Sequence, residues 1–429
     1  MREDDILGSI PPHSCKLNVV SLKSIMKENL LSKVKKILSS KKMMMALSFV
    51  GLYLFATGVS LAIFTFLRKE PGSVASNDVS GSRSKINLDL PKTEECPLNG
   101  GKFTKIEKEI WEGHRPITAM IENHADSRPP SGILRADVVY EAVAEGGITR
   151  FLGVFYCGVA AEEVKIAPVR SARIYFIDYA AEYGNKPIFM HVGGANNYSG
   201  SGDTAREVKA LETLESIGWR VPGGNDFDTT YDSGFPIFWR NYERLDHTVA
   251  TEHTMMASLD AAYKEAEKRG LGAKSDDGVA WDEKFIPWRF ADDKPQSGTA
   301  TDISFGFWNN KPDYDVEWKY DTGANQYLRF NGGKELLDLA YKKQLSAKNV
   351  VILFAKEKGP VDRNLHMFYT TTGTGKALIF QNGVAIEGTW KKESRESRTK
   401  FIDGSGREIT FVRGPIWIEI VPSGNIVNY

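Results

Sequence analysis

Polar side chains able to carry acid–base or binding chemistry follow the first strand-like run of the chain. Glu122 and Asn123 come directly after Met120-Ile121 and precede His124. Polar residues at the end of a strand commonly line sites in α/β proteins. A carboxylate, an amide and an imidazole in this position can orient a ligand or act in general acid–base catalysis. A plain turn capped by the Asn side chain explains the same pattern without a function.

Three arginines form a second candidate cluster. Arg150 follows the pair Gly146-Gly147, and Arg170 and Arg173 lie three residues apart around Ser171. Paired glycines allow a ligand or another backbone to approach closely. If Ser171 opens a helix, both later guanidinium groups lie at its positive end, where they suit a phosphate or a carboxylate. The alternative is internal salt bridging, for which the acceptors are Glu141, Glu145 and Asp178.

The histidines provide a third candidate group. His191 lies near the end of the strand-like run PIFMHV, and His253 follows Glu252 in a loop before a predicted helix. A histidine near a carboxylate can act as a general base, a metal ligand or an anion clamp. The zinc motif H-E-x-x-H is absent, and no Ser or Cys stands in a nucleophile elbow. A hydrogen-bonded structural role is the alternative for either histidine. The candidates for catalysis are His253, His191, Glu122 and Glu252.

The elements that must position these residues have an α/β pattern up to about residue 295. Runs rich in β-branched and aromatic residues predict strands at 116–121, 136–142, 149–156 and 187–192. Apolar residues at helical spacing predict helices at 171–183, 204–217 and 259–269. From about residue 300, short strand-like runs flank turn pairs such as Asn382-Gly383. We predict an α+β fold, with a layered β/α sandwich at 96–295 and a smaller, mainly antiparallel β domain at 296–429.

One transmembrane helix is predicted before these domains. The run 43–67 contains no charged residue and is long enough to cross a hydrocarbon core of about 30 Å. Residues 1–42 carry nine basic and four acidic side chains, which favours a cytoplasmic N-terminus. Neither a small-residue cleavage site nor a lipid-accepting cysteine directly follows the run. We predict an uncleaved, single-pass signal anchor in the cell membrane and a flexible tether at 68–95. A buried core helix and a cleaved signal peptide are the alternatives.

Composition narrows the class of protein. Of the 429 residues, 41% are hydrophobic and 26% are charged, which is typical of globular proteins. The formal net charge is zero, which does not favour a nucleic-acid-binding protein. Cys15, Cys96 and Cys157 are too few for a disulfide framework and contain no C-x-x-C pair. We predict no metal site, no cofactor and no nucleic-acid partner.

Several motifs together resemble those of the YerB-like bacterial lipoproteins. They are Arg115-Pro116 to Asn123, Ala136 to Glu141, Glu145 to Arg150, Pro168 to Arg173 and, near the C-terminus, Gly388 to Lys392. Glu252-His253-Thr254 resembles that family's Pro-His-Asn segment, with Glu and Thr as departures. The resemblance covers about residues 96–422. It implies an extracytoplasmic α+β protein with a β-rich C-terminal domain, but no activity, because the family is a domain of unknown function. Its members are typically lipid-anchored, so the span at 43–67 would replace the lipid.

These patterns favour a membrane-anchored protein of the bacterial envelope that binds an anionic cell-wall or lipid-linked ligand. The predicted ligand-binding residues, expected to converge in one cleft, are Glu122, Asn123, Arg150, Arg170, Arg173, His191 and His253. One alternative is a hydrolase or transferase acting on an envelope glycan or phosphodiester, which needs a histidine and a carboxylate within hydrogen-bond distance. The other is a protein–protein adaptor, which would expose a large apolar patch. The sequence indicates the membrane as a partner through one span and does not identify a protein partner.

Overall fold

The computed structural model describes residues 89–295 and 298–429, and residues 41, 45, 48, 49, 51–53, 55 and 57 before them. Residues 82–429 form one compact unit, and residues 1–81 belong to another. The predicted basic segment 1–42, span 43–67 and tether 68–95 lie largely outside the described residues. Among the residues that are described, no helix is both long enough and apolar enough to cross a bilayer. The predicted anchor therefore stays a prediction.

A ten-stranded sheet organises residues 89–429. Its strands from the first part of this region are β1 (Ile117–Glu122), β2 (Val138–Glu145), β3 (Ile148–Phe155), β4 (Ile188–His191) and β5 (Asp226–Asp228). Those from the second part are β6 (Asn349–Ala355), β7 (Gly373–Gln381), β8 (Val384–Lys392), β9 (Lys400–Asp403) and β10 (Ile416–Pro422). The spatial order is β9-β8-β7-β6-β10-β2-β3-β1-β4-β5.

The C-terminal strand β10 joins the two parts of this sheet. It pairs in parallel with β6 on one side and with β2 on the other. Every residue of β6 and β10 is buried, as is usual for parallel strands covered on both faces. The strands β7, β8 and β9 continue from β6 in antiparallel pairing. The two predicted domains thus share one sheet, and the boundary at residues 295 and 296 stays a prediction.

Smaller sheets complete the described region. A five-stranded antiparallel sheet contains Asp302–Phe305, Val316–Asp321, Gln326–Asn331, Lys334–Glu335 and Ser346–Ala347. A three-stranded antiparallel sheet contains Lys165–Ile166, Met255–Ser258 and Phe238–Arg240. The two-stranded pairs are Glu94–Glu95 with Lys102–Phe103, Arg289–Ala291 with Thr410–Val412, Leu337–Asp338 with Lys343–Gln344, and Glu357–Lys358 with Phe368–Tyr369.

The helices described within residues 89–429 are few and short. The α-helices are α1 (Lys105–Trp111), α2 (Ile174–Ala180), α3 (Ala210–Ser216) and α4 (Leu259–Lys268). The 3-10 turns are Ala125–Ser127, Ile133–Arg135, Arg206–Val208, Thr251–His253 and Pro312–Tyr314. A capping box of Thr104 and Glu107 starts α1, and the Ser258 hydroxyl caps α4. This part of the chain is mostly β with few helices, so its helical share is smaller than the predicted α+β class implies.

Most of the strands and helices predicted from local sequence patterns are present in the structure, with some changes in their bounds. The four strands predicted before residue 200 are confirmed as β1 to β4. The hairpin predicted at Asn382-Gly383 is confirmed between β7 and β8, where both residues have the positive φ that a type I′ turn requires. The helix predicted from Ser171 begins only at Ile174, because Arg173 is extended with φ −130°. The helix predicted at 204–217 is interrupted at Lys209, whose ψ of 90° separates a 3-10 turn from α3.

A disulfide bond between Cys96 and Cys157 links residues 61 positions apart. Three cysteines are too few for a disulfide framework, as predicted, but this single bond was not predicted from the sequence. Three cysteines allow three pairings, and no local signal in the sequence selects one of them. Both sulfur atoms are buried, and each lies in a segment that contacts Asp137. The bond therefore ties the start of the folded region to the chain that follows β3.

Asp137 is a buried carboxyl group surrounded by donors. Its oxygens accept hydrogen bonds from the backbone N–H groups of Tyr156 (2.7 Å), Cys157 (2.9 Å) and Gly158 (3.1 Å), and from the Asn99 amide (2.9 Å). Burial raises the pKa of Asp137 to about 7, although these four donors act in the opposite direction. The protonated form of Asp137 is therefore stabilised in the folded chain relative to the unfolded chain.

Replacing Asp137 with Asn should change how stability depends on pH. Since the folded pKa of about 7 exceeds the ordinary 3.8, the folded chain binds one more proton than the unfolded chain between these values. The stability that this carboxyl contributes below about pH 4 is lost as the pH rises to 7. At ~1.4 kcal/mol per pKa unit, the change amounts to a few kcal/mol. Urea unfolding of both chains from about pH 4 to 8 should show the parent losing stability relative to Asp137→Asn. A constant difference between them contradicts the raised pKa.

Candidate functional site

Glu122, the last residue of β1, is the centre of a polar cluster. One carboxylate oxygen lies 2.7 Å from His253 Nδ1, and the other lies 3.0 Å from Arg170 Nε. Glu122 is buried, whereas Arg170 keeps 23% of its side chain exposed. We call Glu122, His124, Arg170 and His253, with the adjacent Glu252, the Glu122 cluster. It unites two of the motifs predicted from the sequence with the loop that precedes α4.

Backbone pairing explains why these distant residues meet. The chain after Ala167 runs along the end of β1, where the Glu122 N–H donates to Pro168 O (2.9 Å) and the Arg170 N–H donates to Met120 O (3.0 Å). On its other side, the Val169 N–H donates to Met255 O (2.9 Å), which fixes the 3-10 turn Thr251–His253 nearby. The side chains of Glu122, Arg170 and His253 are therefore delivered by three neighbouring stretches of backbone.

The hydrogen bond to Glu122 determines which ring nitrogen of His253 carries a proton. A carboxylate accepts hydrogen bonds, so Nδ1 of His253 carries the proton that it shares with Glu122. In the neutral ring this leaves a lone pair on Nε2, and no residue among those the structure describes donates to it or accepts from it. The His253 ring stacks on His124 with centroids 4.8 Å apart. This arrangement can accept a proton or ligate a metal through Nε2.

Arg170 contacts the backbone carbonyl group of Glu252 rather than its side chain. Arg170 Nη1 donates to the Glu252 carbonyl oxygen at 3.3 Å, whereas the Glu252 carboxylate is exposed. The pKa of Glu252 is lowered, first by its own backbone N–H and then by the charges of His253 and Arg170. Arg170 is thus a partly exposed cation at the rim of the cluster, while Glu252 lies outside its hydrogen-bonded centre.

Two arginines that were not predicted from the sequence hold the two turns beside the Glu122 cluster. Arg244 donates to Pro129 O (2.6 Å) and Ser127 O (2.5 Å), and Arg240 donates to Thr251 O (2.5 Å). Burial lowers the pKa of Arg244 to about 10, opposed by the charge of Glu122. Nothing in the local sequence distinguishes them from ordinary surface arginines, because their partners are carbonyl groups supplied by other loops.

Arg150 and Arg173 are held by Glu145 at the end of β2. Arg150 Nη2 lies 2.7 Å from one oxygen of Glu145, and Arg173 Nη2 lies 2.6 Å from the other. Burial alone would raise the pKa of Glu145, but the two guanidinium groups outweigh it and hold that pKa far below its usual range. The internal salt bridging left open as an alternative is therefore what these two arginines make. Their predicted role as anion ligands stays a prediction that this geometry does not favour.

His191 and Asn123 lie in two further places. His191 is fully buried in an ion-pair network with Asp226 and, through it, Arg220. Burial lowers the pKa of His191, but Asp226 outweighs this effect and raises it. Asn123 donates to Thr149 (2.8 Å), Asn331 (3.1 Å) and Glu141 (3.2 Å) in a buried network. The seven predicted ligand-binding residues thus occupy four environments. Among the three predicted arginines, Arg170 has the most exposed guanidinium group.

One group of side chains within the described residues has the composition of a metal site and contains no residue committed to a covalent bond. One potential ligand atom from each of His124, Asp126 and His253 lies within 4.8 Å of the others. Cys96, Asp137 and Cys157 also lie within this distance of one another, but both cysteines are committed to the disulfide bond. The first group overlaps the Glu122 cluster.

Comparisons with known proteins show the family of proteins that this chain resembles. Residues 103–272 match the N-terminal domain of a protein of unknown function, DUF3048, and residues 303–418 match its C-terminal domain. Together the two matches include the Glu122 cluster and most of the central sheet.

The chain is also similar to individual proteins. It is 30% identical over 336 residues to the "Putative lipoprotein YerB" of Bacillus subtilis (strain 168), which covers 78% of this chain and 88% of that protein. The crystal structure of the YerB protein from Bacillus subtilis matches with a TM-score of 0.60 and 26% identity, over 78% of this chain and 100% of that chain. The chain belongs to the YerB-like DUF3048 family, as the motifs predicted.

Proposed function

We propose that this chain is a membrane-anchored protein of the bacterial envelope whose folded domains lie outside the cytoplasm. The relative's name describes a lipoprotein, and we infer that the apolar run 43–67 takes the place of the lipid here. We also retain the proposal of a layered β/α sandwich at 96–295 and a mainly antiparallel domain at 296–429. The basic residues of segment 1–42 support a cytoplasmic N-terminus.

The cysteines support this topology. Cys96 and Cys157, which are paired, both follow the proposed span, whereas Cys15 precedes it. Disulfide bonds form and persist outside the reducing cytoplasm. A chain oriented in this way places its one disulfide in an oxidising compartment and its remaining cysteine in a reducing one.

The proposed ligand is an anionic component of the cell wall or a lipid-linked phosphate, bound at the Glu122 cluster. The observation that carries this proposal is the partly exposed guanidinium group of Arg170, held in place by the buried Glu122 and bordered by His253. A positioned guanidinium with unused N–H donors suits a phosphate or carboxylate. Because Glu122 offsets one positive charge, we expect moderate rather than very tight binding.

Replacing Arg170 with Gln should abolish this binding. The test is a thermal-shift screen of the full-length protein in detergent against teichoic-acid fragments, muropeptides and polyprenyl phosphates. A ligand at 100 times its dissociation constant should stabilise the parent by ~2.7 kcal/mol. In Arg170→Gln the same ligand should give no shift, since the guanidinium group that holds the anion is absent.

Arg395→Gln is the matched control for this experiment. Arg395 Nε lies 2.7 Å from Asp178 Oδ1 and keeps 29% of its side chain exposed, so it resembles Arg170 in pairing and exposure. The Arg395 variant should retain the full shift. A shift that survives in Arg170→Gln, or that disappears equally in both variants, contradicts binding at the Glu122 cluster. If no compound in the panel shifts the parent, the adaptor function becomes the better hypothesis.

A second candidate function is hydrolysis or transfer on an envelope glycan or phosphodiester. It is favoured by the Glu122–His253 hydrogen bond of 2.7 Å, which orients the ring and leaves Nε2 able to accept a proton. Glu122 would stabilise the imidazolium that forms, and Arg170 would stabilise negative charge on the reacting group. Product release from the compounds that bind, followed by chromatography, tests this function. Activity that survives in His253→Gln contradicts it.

A further inference from the structure

The side chains near His124 combine two imidazoles with a carboxylate. His124 caps the 3-10 turn Ala125–Ser127, and Asp126 lies within that turn. His253 comes from the separate turn Thr251–His253 and stacks on the His124 ring. One ligand atom from each of these three side chains lies within 4.8 Å of the others. Separate turns thus bring together a set of two nitrogens and one oxygen.

The orientation of His253 matches that of a metal-binding histidine. Histidine ligands usually donate their second ring N–H to a carboxylate or carbonyl group, which fixes the tautomer and makes the ligating nitrogen more basic. His253 Nδ1 has this contact with Glu122 at 2.7 Å. The carboxylate is itself held by Arg170 Nε at 3.0 Å. Nε2 is therefore the ring nitrogen of His253 that is left to ligate an ion.

We propose that His124, Asp126 and His253 form a binding site for a divalent metal ion of the zinc class. Imidazole nitrogens favour Zn²⁺ and neighbouring transition metals over Mg²⁺ and Ca²⁺, which prefer oxygen ligands. Three protein ligands leave a fourth position open, as in catalytic rather than structural zinc sites. The inference extends the function proposed above and does not depend on it.

Binding requires a small contraction of the three ligands. Zn–N and Zn–O distances are about 2.0–2.2 Å, so two ligand atoms of one ion lie no more than about 4.4 Å apart. The Asp126 side chain is 74% exposed, and it can turn towards the histidines without displacing packed neighbours. The present contact between His124 Nδ1 and the Asp126 carboxylate is 3.8 Å long. Asp126 is therefore the ligand expected to move.

Neither the motifs nor their spacing predicted a metal. The H-E-x-x-H zinc signature places its two histidines close together on one helix, whereas His124 and His253 belong to separate turns that are far apart in the chain. The two turns meet only because residues 168–170 pair with both β1 and Met255.

Equilibrium dialysis of tag-free, full-length protein against Zn²⁺ in detergent tests the site. The parent should bind one ion per chain, counted by atomic emission. His124→Ala and Asp126→Asn should each lower the affinity by at least about 10-fold, and Glu122→Gln by about 10- to 100-fold through the loss of His253 orientation. With Co²⁺ in place of Zn²⁺, the parent should show visible absorption that the variants lack.

His114→Ala is the matched control. His114 Nδ1 lies 3.8 Å from the Glu267 carboxylate, the same distance as in the His124–Asp126 pair, and its ring stacks on Tyr263. The control should bind Zn²⁺ like the parent. The proposal is overturned if the parent binds no ion, if His124→Ala and Asp126→Asn bind normally, or if His114→Ala loses the same affinity. Asp126→Asn should lose the ion while keeping the anionic ligand, because Asp126 is not among the residues proposed to hold the anion, and this result separates the two proposals.

Discussion

Replacing Arg329 with Met should destabilise the folded chain by about 3–5 kcal/mol, because it leaves buried carboxyl groups without their cation. Arg329 Nη2 lies 2.7 Å from Glu141 Oε2, and Nη1 contacts Glu419. All three side chains are fully buried. Glu141 and Glu419 lie where β2 and β10 pair, and Arg329 comes from the strand Gln326–Asn331 of the five-stranded sheet. Total stabilities of about 5–15 kcal/mol are usual, so this loss is a large part of the whole.

The two carboxyl groups lie close enough to influence each other's ionisation. Glu141 and Glu419 are direct neighbours in the parallel pairing of β2 and β10. Burial raises the pKa of Glu419 well above its ordinary value; Arg329 opposes this effect, and the neighbouring Glu141 adds to it. Like charges this close do not both ionise in a buried site, so we infer that Glu419 is protonated at neutral pH. A neutral Glu419 leaves less buried negative charge beside Arg329, which explains how the network is tolerated at the centre of the sheet.

This inference supplies a control for the Arg329 variant. Gln has the shape of a protonated Glu, so Glu419→Gln should change stability by less than about 1.5 kcal/mol. Urea unfolding can be followed by tryptophan fluorescence, since Arg329 lies over the rings of Trp318 and Trp417 at 5.1 and 5.3 Å. A Glu419→Gln variant as unstable as Arg329→Met would show that Glu419 is ionised.

A triple variant separates charge from packing. Removing all three ionisable groups, in Glu141→Gln/Arg329→Met/Glu419→Gln, should recover most of the stability lost in Arg329→Met, since no buried charge is left unpaired. If the triple variant is as unstable as the single one, the loss comes from packing against the two tryptophans instead.

The pairing of β10 with β2 could not be predicted from the sequence, although other parts of the fold could. The hairpin at Asn382-Gly383 carries a local signal and forms where it was predicted. The placement of β10 beside β2 has no such signal, because parallel partners are joined through long, indirect connections. Glu419 within the buried run IWIEIVP was the one visible sign, since a carboxyl group there requires a partner from elsewhere.

The candidate site, like the fold, could be predicted from the sequence only in part. Glu122, Arg170 and His253 were each predicted from residue type and position at strand or loop ends, and the structure brings these three together. Arg150 and Arg173 both form salt bridges with Glu145. Which acidic residue they would pair with depends on the folded structure, so the sequence allowed salt bridging only as an alternative to ligand binding. Their ligand-binding role and those of His191 and Asn123 await experiment.

Removing the disulfide should cost about 4 kcal/mol, the second large effect expected in this chain. Cys96 and Cys157 are 61 residues apart, and cross-linking a loop of this length restricts the unfolded chain by about that amount. Cys96→Ser/Cys157→Ser should therefore unfold at lower urea concentration than the parent. Cys15→Ser, which changes the third cysteine, should unfold like the parent.

A reductant distinguishes the loss of the bond from the effect of the substitutions. Dithiothreitol should lower the stability of the parent and of Cys15→Ser to that of the double variant, and should leave the double variant unchanged. Equal sensitivity of all three chains contradicts a stabilising role for the bond. The result also bears on topology, because a domain that needs about 4 kcal/mol from a disulfide is stable only where that bond persists. A strong dependence on the bond therefore favours the extracytoplasmic location proposed for residues 89–429, and independence removes one of its supports.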